Sequence, residues 1–567
     1  MLKREKGEYG VFCSFRKEII LSTLVIASII LFFSKCAFSA GNKPSGSVNK
    51  RTVYNIISGF IYYDNGKYDR AIKQFSEEAG KINNSYGYYT LSKIYFSNRD
   101  FNRALLSINK AIRLENISLG KNRLSGDKIN YLVLKAKILA AGNNIEASIS
   151  LLKNILKTNP ANLKTLLLLA NIYIYNNDLK TATEYLDLIK LNHPGNMDVY
   201  YILFKVHVSL NKKARAEKDL LSLIKIDPYF KKAYFELSSI YIFSGKENKA
   251  IEILKKYLDV DPYSKNALYQ TAALEYSVKN YGDARKYFSD FLYITKKNKR
   301  LGDLRNNARF FTGISYFLEK KNKKALENLG MVSPGSHYTD ALLTEIEIYL
   351  IDFNKTKSQS DKNKIEKTVL MLIKDKSVKK SIKTYYFSAI ATADIKDYSR
   401  SKEIILEGLK YYPDNTRMLY ELGSIYHSLK EESAASGIMD RILKIDPENA
   451  DALNYLGYYL AVKNTDLNRA RLLIEKALSI QKDSPYIQDS MGFVLYRFKK
   501  YDDALKYFEE ALKGLSNSAT VLKHAGMDYF ELKNYKKALE YLTKSYKTKK
   551  DKEVGDYIKK IDGILRK

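Results

Sequence analysis

The amino-acid sequence predicts an all-α protein, a right-handed α-solenoid of antiparallel helix pairs preceded by an N-terminal apolar signal or anchor helix. Three observations predict this: small residues recur twelve apart, helix breakers are few, and one uncharged run stands near the amino terminus. The spaced pairs are Gly59/Ala71, Ser92/Ala104, Ala170/Ala182, Ser238/Ala250, Ala272/Ala284, Gly313/Ala325, Gly423/Ala435, Gly492/Ala504 and Gly526/Ala538. Small side chains at both points let two helices cross closely, where larger ones would force the backbones apart. Three residues past the first member, on the same helical face, stand Tyr62, Tyr95, Tyr173, Tyr241, Tyr316, Tyr426 and Tyr529, which fill the space beside the crossing. Only nine prolines and 45% hydrophobic residues suit an ordered helical protein rather than a disordered one.

Residues 1–40 read as an export signal or membrane anchor. Lys3, Arg4, Lys6, Arg16 and Lys17 precede an uncharged run over 19–33, and Ala37, Ser39 and Ala40 supply small residues after it. The run falls between a signal-peptide core and a full membrane span in length. Cleavage after Ser39, retention of 19–33 as an anchor, and lipid attachment at Cys36 all stay open. Lys35 departs from the small residue that bacterial lipoprotein signals prefer before the cysteine. Basic residues ahead of the run predict a cytoplasmic amino terminus and a helical array outside the cytoplasm, periplasmic or membrane-tethered. Residues 41–50 are small and polar, and read as a flexible tether.

The helical array begins near residue 51. Its clearest copy spans 231–262, with Tyr234, Leu237, Ser238, Tyr241, Gly245, Ala250, Leu254 and then Asp261-Pro262, where the proline stops the second helix. A second good copy spans 416–447, and weaker ones begin near Lys128, Met197 and Ala450. This pattern resembles the tetratricopeptide repeat (TPR), of about 34 residues, which stacks into a superhelix. The resemblance covers most of the chain in thirteen or fourteen repeats: an N-terminal array over 51–334, a degenerate repeat with a polar insertion over 335–381, and a C-terminal array over 382–551. Within the degenerate repeat, 354–364 is lysine-rich without apolar periodicity and reads as a loop. The connection at 296–303 is about seven residues longer than the usual short turn. Residues 552–567 place Val554, Tyr557, Ile558 and Ile561 at helical spacing, as expected of a helix capping the stack.

No catalytic, cofactor or metal motif accompanies these repeats, so no enzyme is expected. The five histidines are scattered, and neither a phosphate-binding loop nor a nucleophile elbow is present. Both cysteines, Cys13 and Cys36, precede the array, which therefore has no thiol chemistry. The net charge of +32 comes mostly from lysine at turns and helix ends rather than from arginine on one face, so nucleic acid is not expected as a partner.

Binding remains. In the family that the chain resembles, the first helix (A) of each repeat lines a concave groove through its second, fifth, ninth and twelfth positions. The resemblance then implies partner contact at Tyr89, Tyr201, Phe235, Tyr269, Phe310, Tyr386 and Tyr420, all at the fifth position, unless these rings pack against the next repeat instead. Lys93, Lys205, His427, Tyr458, Asp489 and Phe493 occupy other groove positions. The clamp for a terminal carboxylate found in chaperone cofactors of the family is not reproduced in consecutive repeats. A segment over 451–512, including Leu456-Gly457-Tyr458 and Asp489-Ser490-Met491-Gly492-Phe493, is similar to one in bacterial envelope TPR proteins, some of them adaptors for periplasmic proteases. The resemblance implies a non-catalytic scaffold or adaptor of the bacterial cell envelope that binds protein or peptide partners. A basic surface module for anionic lipid or envelope polymer is the alternative, and oligomeric state is left open.

Overall fold

The computed structural model describes residues 50–119 and 125–566. The expected export segment, with the run over 19–33 and Cys36, lies outside the described residues, as does the tether up to the first helix at Lys50. Among the described residues no helix is long and apolar enough to cross a membrane. These residues form 29 α-helices and one 3₁₀ turn, with no strand.

The chain divides into two compact units, one ending at Pro262 and the other starting at Tyr263. In the first, six helix pairs follow one another: Lys50–Asp64 with Tyr68–Ile82, Ser85–Ser97 with Phe101–Leu119, Gly126–Ala141 with Ile145–Thr158, Leu163–Tyr175 with Leu179–Asn192, Met197–Ser209 with Lys213–Ile226, and Lys231–Ile242 with Glu247–Val260. The second unit adds eight pairs from Lys265–Ser277 to Tyr535–Thr548, and then the single helix Lys552–Leu565. Val554 and Ile561 of that last helix are fully buried against the preceding pair, so it covers the end of the stack.

Helix formation is local and well signposted. Asn162, Asn196, Asn415 and Asn449 each accept a hydrogen bond from a backbone N–H in the first turn of an A helix, satisfying a donor that has no partner within the helix. The crossings are as close as the twelve-residue spacing requires. Ala71, Ala104, Ala182 and Ala250 have no solvent exposure, and the Ser92 hydroxyl donates to the Ala104 carbonyl at 2.8 Å. At Gly457 a Cβ would lie 2.5 Å from Ile474 and 2.9 Å from the Ala470 carbonyl, so the second helix (B) fills the notch that the missing side chain leaves. Most of the tyrosines beside the crossing are capped by a cation eight residues on: Arg103 lies 5.1 Å from the Tyr95 ring centre, Lys249 5.8 Å from Tyr241, and Lys537 5.0 Å from Tyr529.

Most A–B turns hold one residue in the left-handed region. Asn143, Asn177, Asn211 and Gly245 do so in the first unit, with φ of 64°, 60°, 55° and 64°, and Lys279, Lys396, Lys430, Lys499 and Lys533 do so in the second. The loop expected over 354–364 is absent. Helix Tyr338–Thr356 runs through Asn354, and after Lys357 (φ 51°) the next helix, Gln359–Lys374, starts at once. Ser358 caps it by accepting from the Asp361 N–H at 3.1 Å, while the Asp361 carboxylate accepts from the Ser358 hydroxyl at 2.8 Å. The polar stretch is a helix end, a tight turn and a cap, which is why it lacks apolar periodicity.

Candidate functional site

The two layers of each unit are not equivalent. In most steps of the second unit, as Ala450–Lys463 with Pro485–Arg497, and in two of the first, Ser85–Ser97 with Gly126–Ala141 and Gly126–Ala141 with Leu163–Tyr175, the A helix contacts the A helix of the next repeat, whereas successive B helices make no comparable contact. The A layer therefore follows the tighter path within each unit, and its open face is the concave one.

In the first unit this face alternates rings with ammonium groups. Tyr89 is half-buried, 4.8 Å from the Tyr131 ring, with Lys93 Nζ 5.7 Å from its centre. Tyr201 is half-buried between two cations, Lys205 and Lys232, each 4.8 Å from its centre. Phe235 packs edge-on against Tyr257 at 5.7 Å and carries Lys231 at 5.5 Å. Lys93 reaches solvent, yet the side chains crowding the face remove enough water to lower its pKa; Asp64 opposes that, while Lys137 and Lys164 reinforce it. Lys164 donates to Asn130 Oδ1 at 2.8 Å.

In the second unit Tyr269 lies 5.2 Å from Phe291 and borders an open cleft of about 190 Å³, with Gln270, Leu301 and Leu304 among its other walls. Leu301 belongs to the 3₁₀ turn Lys299–Leu301, so the extra residues at 296–303 are built into the wall of this cleft. Phe310 stacks on His337 at 4.5 Å with rings 4° from parallel, and Tyr386 lies 4.3 Å beneath the Arg417 guanidinium. Tyr420 is 40% exposed. Beside it, burial and then the neighbouring Asp394 raise the Glu421 carboxyl above its ordinary range. His427 is exposed, 3.4 Å from the Glu432 carboxylate.

Three of the expected groove residues meet one another. Tyr458 lies 5.4 Å from Phe493, and Asp489 is hydrogen-bonded to His524 Nδ1 at 2.9 Å. Asp489 and Phe493 are only 8% and 7% exposed, so they serve this internal cluster and present little surface to a partner. His524 completes it, 4.5 Å from the Phe493 ring and thirty-five residues from Asp489. Sequence reasoning passed over His524 because it stands at the sixth position of its helix, off the expected groove frame. Also missed was Asp528, a fully buried carboxylate neither of whose oxygens has a hydrogen-bond partner. Burial, with Asp502 and Glu531 adding to it, pushes its pKa up to about 8.

Family models described as tetratricopeptide repeat match residues 85–117, 231–264 and 416–449, residues 139–203, and residues 483–551. The chain carries tetratricopeptide repeats. It is 29% identical over 197 residues to the TPR repeat-containing protein PA4667 of Pseudomonas aeruginosa, an alignment covering 34% of this chain and 32% of that protein. It is 30% identical over 109 residues to the CTR9 homologue of Arabidopsis thaliana, covering 18% of this chain and 10% of that one. The chain thus spans about a third of the length of the first of these relatives and a tenth of the second. Among solved structures, the Cut9–Hcn1 assembly is similar with a TM-score of 0.35 and 15% identity, covering 90% of this chain and 96% of that one. Yeast Tom70 follows with a TM-score of 0.30 and 14% identity, covering 92% and 97%. Tetratricopeptide repeats in general support the binding of protein or peptide partners, on a fold that is typically not catalytic.

Proposed function

We propose that the protein is a non-catalytic scaffold or adaptor of the bacterial cell envelope that captures protein or peptide partners on the concave A-helix face, with its array outside the cytoplasm. The observation that carries the partner-binding part is the row of half-buried rings at the fifth helical position, open on one side and supported by cations or neighbouring rings on the other. Such rings supply large, rigid contact area at small entropic cost, which is why aromatics concentrate at protein interfaces. The envelope part is supported by the basic residues and apolar run ahead of the array, and the envelope-type segment over 451–512 is consistent with it.

The test replaces Tyr269 and Phe310 by Ala and compares partner capture by crosslinking in cells. Capture should drop while helix content, read by circular dichroism, is retained. Undiminished capture would remove the groove from the proposal. For location, the mass of the mature amino terminus decides among cleavage, anchoring and lipid attachment. A basic module for anionic polymer would instead lose binding steeply between about 50 and 200 mM salt, whereas an apolar groove would change little.

A further inference from the structure

The first unit presents lysines on its concave face in five consecutive repeats: Lys93, Lys137, Lys164, Lys205 and Lys232. None of the five forms an ion pair with a carboxylate among the described residues. Asp64 attracts Lys93 from beyond ion-pair distance. Lys137 and Lys164 lie near enough to Lys93 to repel it, which is part of what lowers the pKa of Lys93. Asp64 offsets part of this repulsion at Lys93, and among the described residues no carboxylate pairs with Lys137 or Lys164, so the face favours an anionic occupant.

We propose that the concave face of the first unit binds an extended, acidic polypeptide segment whose side-chain carboxylates meet Lys93, Lys137 and Lys164 and whose apolar side chains lie on Tyr89 and Tyr201. Three features favour a peptide over a polyanion without side chains. The rings between the cations offer an apolar floor. Asn130 and Asn171 stand on the A helices Gly126–Ala141 and Leu163–Tyr175; Asn130, whose Oδ1 accepts from Lys164, can donate to a peptide backbone, and the exposed Asn171 can donate to and accept from one. The cations are lysines held apart on separate repeats, which suits carboxylates distributed along a strand more than a closely spaced phosphate array. The inference rests on the scaffold reading above and names the chemistry of one partner.

The probe is a fluorescein-labelled peptide of fifteen residues repeating Glu-Gly-Leu, amidated at its carboxy terminus so that no terminal carboxylate contributes. The full chain should bind it, read by fluorescence anisotropy. Replacing Lys93, Lys137 and Lys164 together by Ala should weaken binding at least about tenfold, because three charge contacts are lost. Replacing the exposed B-helix lysines Lys153, Lys180 and Lys218 by Ala removes the same charge and should change it less than about twofold. Arg at the three groove positions should restore binding, which guards against mistaking unfolding for loss of contact. Absence of binding by the parent chain, or equal loss in both alanine triples, overturns the proposal. Phosphatidylglycerol vesicles that depend on the three groove lysines while the peptide does not bind would overturn it in favour of lipid. A parent chain that ignores the peptide but still captures partners through Tyr269 and Phe310 removes this inference and leaves the scaffold standing.

Discussion

The two units share one repeat and solve its turns and crossings differently. In the first, the left-handed position of the A–B turn is mostly Asn or Gly, residues that reach positive φ readily; in the second it is mostly lysine, held at φ near 60° against its own Cβ. In the first unit the crossings from 59 to 250 use mostly Ser and Ala, while in the second Gly313, Gly423, Gly457, Gly492 and Gly526 take the first small position. The second unit thus combines strained turns with tighter notches. It also contains two carboxyls pushed far above their ordinary range by burial, Glu345 to about 7 and Asp528 to about 8. In the first unit Asp64 is raised by burial, with Lys93 opposing the shift. The difference teaches that one repeat tolerates local strain wherever packing on both sides determines the backbone.

The largest test of that contrast is pH. Glu345 and Asp528 have folded pKa values above the unfolded ones, near 4, so the stability they contribute is complete below about pH 4 and is lost as pH rises through about 7 and about 8. Asp528 alone changes stability by at most about 1.4 kcal/mol per pH unit in that window. Hydrogen exchange, corrected for intrinsic rates, should show helix Ala519–Glu531 loosening between pH 5 and 8.5 while helix Leu163–Tyr175 does not. Asp528→Asn should flatten the response, and an unchanged response would break the contrast.

Next in size is Gly457→Val. Ile474 could shift, but the Ala470 carbonyl is backbone, so a cost of about 2–3 kcal/mol is expected, read as faster exchange confined to residues 450–480. The turns give a smaller, stabilising effect. Lys430→Gly should raise stability by about 0.5–1 kcal/mol by relieving positive φ, and Asn177→Gly in the first unit by less. Equal effects in thermal unfolding would remove the contrast between the turns. Smallest is Lys544→Met, which breaks an exposed pair with Glu540 one helical turn away; it should leave the melting of the last repeat almost unchanged.

Much of this architecture is legible in the residues themselves. Ser92 and Ala104, or Gly492 and Ala504, identify a crossing because close helix packing admits few side chains, and the fourteen pairs follow from repeating that constraint. The stretch 354–364 was misread because amphipathic periodicity fades at helix ends, although Ser358 and Asp361 carried a capping signal. The candidate site was legible as a frame of positions and not as exposure. Tyr420 and His427 are open to a partner, whereas Asp489 and Phe493 on the same frame are buried by a histidine from the following repeat.

By itself the sequence determined the helix pairs, their spacing, their caps and which face of each A helix carries rings, because each depends on residues within one or two repeats. Only the tertiary structure decided which ionisable groups lose their water. Lys93 is crowded by Lys137 and Lys164, and Asp528 is enclosed with Asp502 beside it, because desolvation and charge repulsion depend on distances through space between residues far apart in the chain.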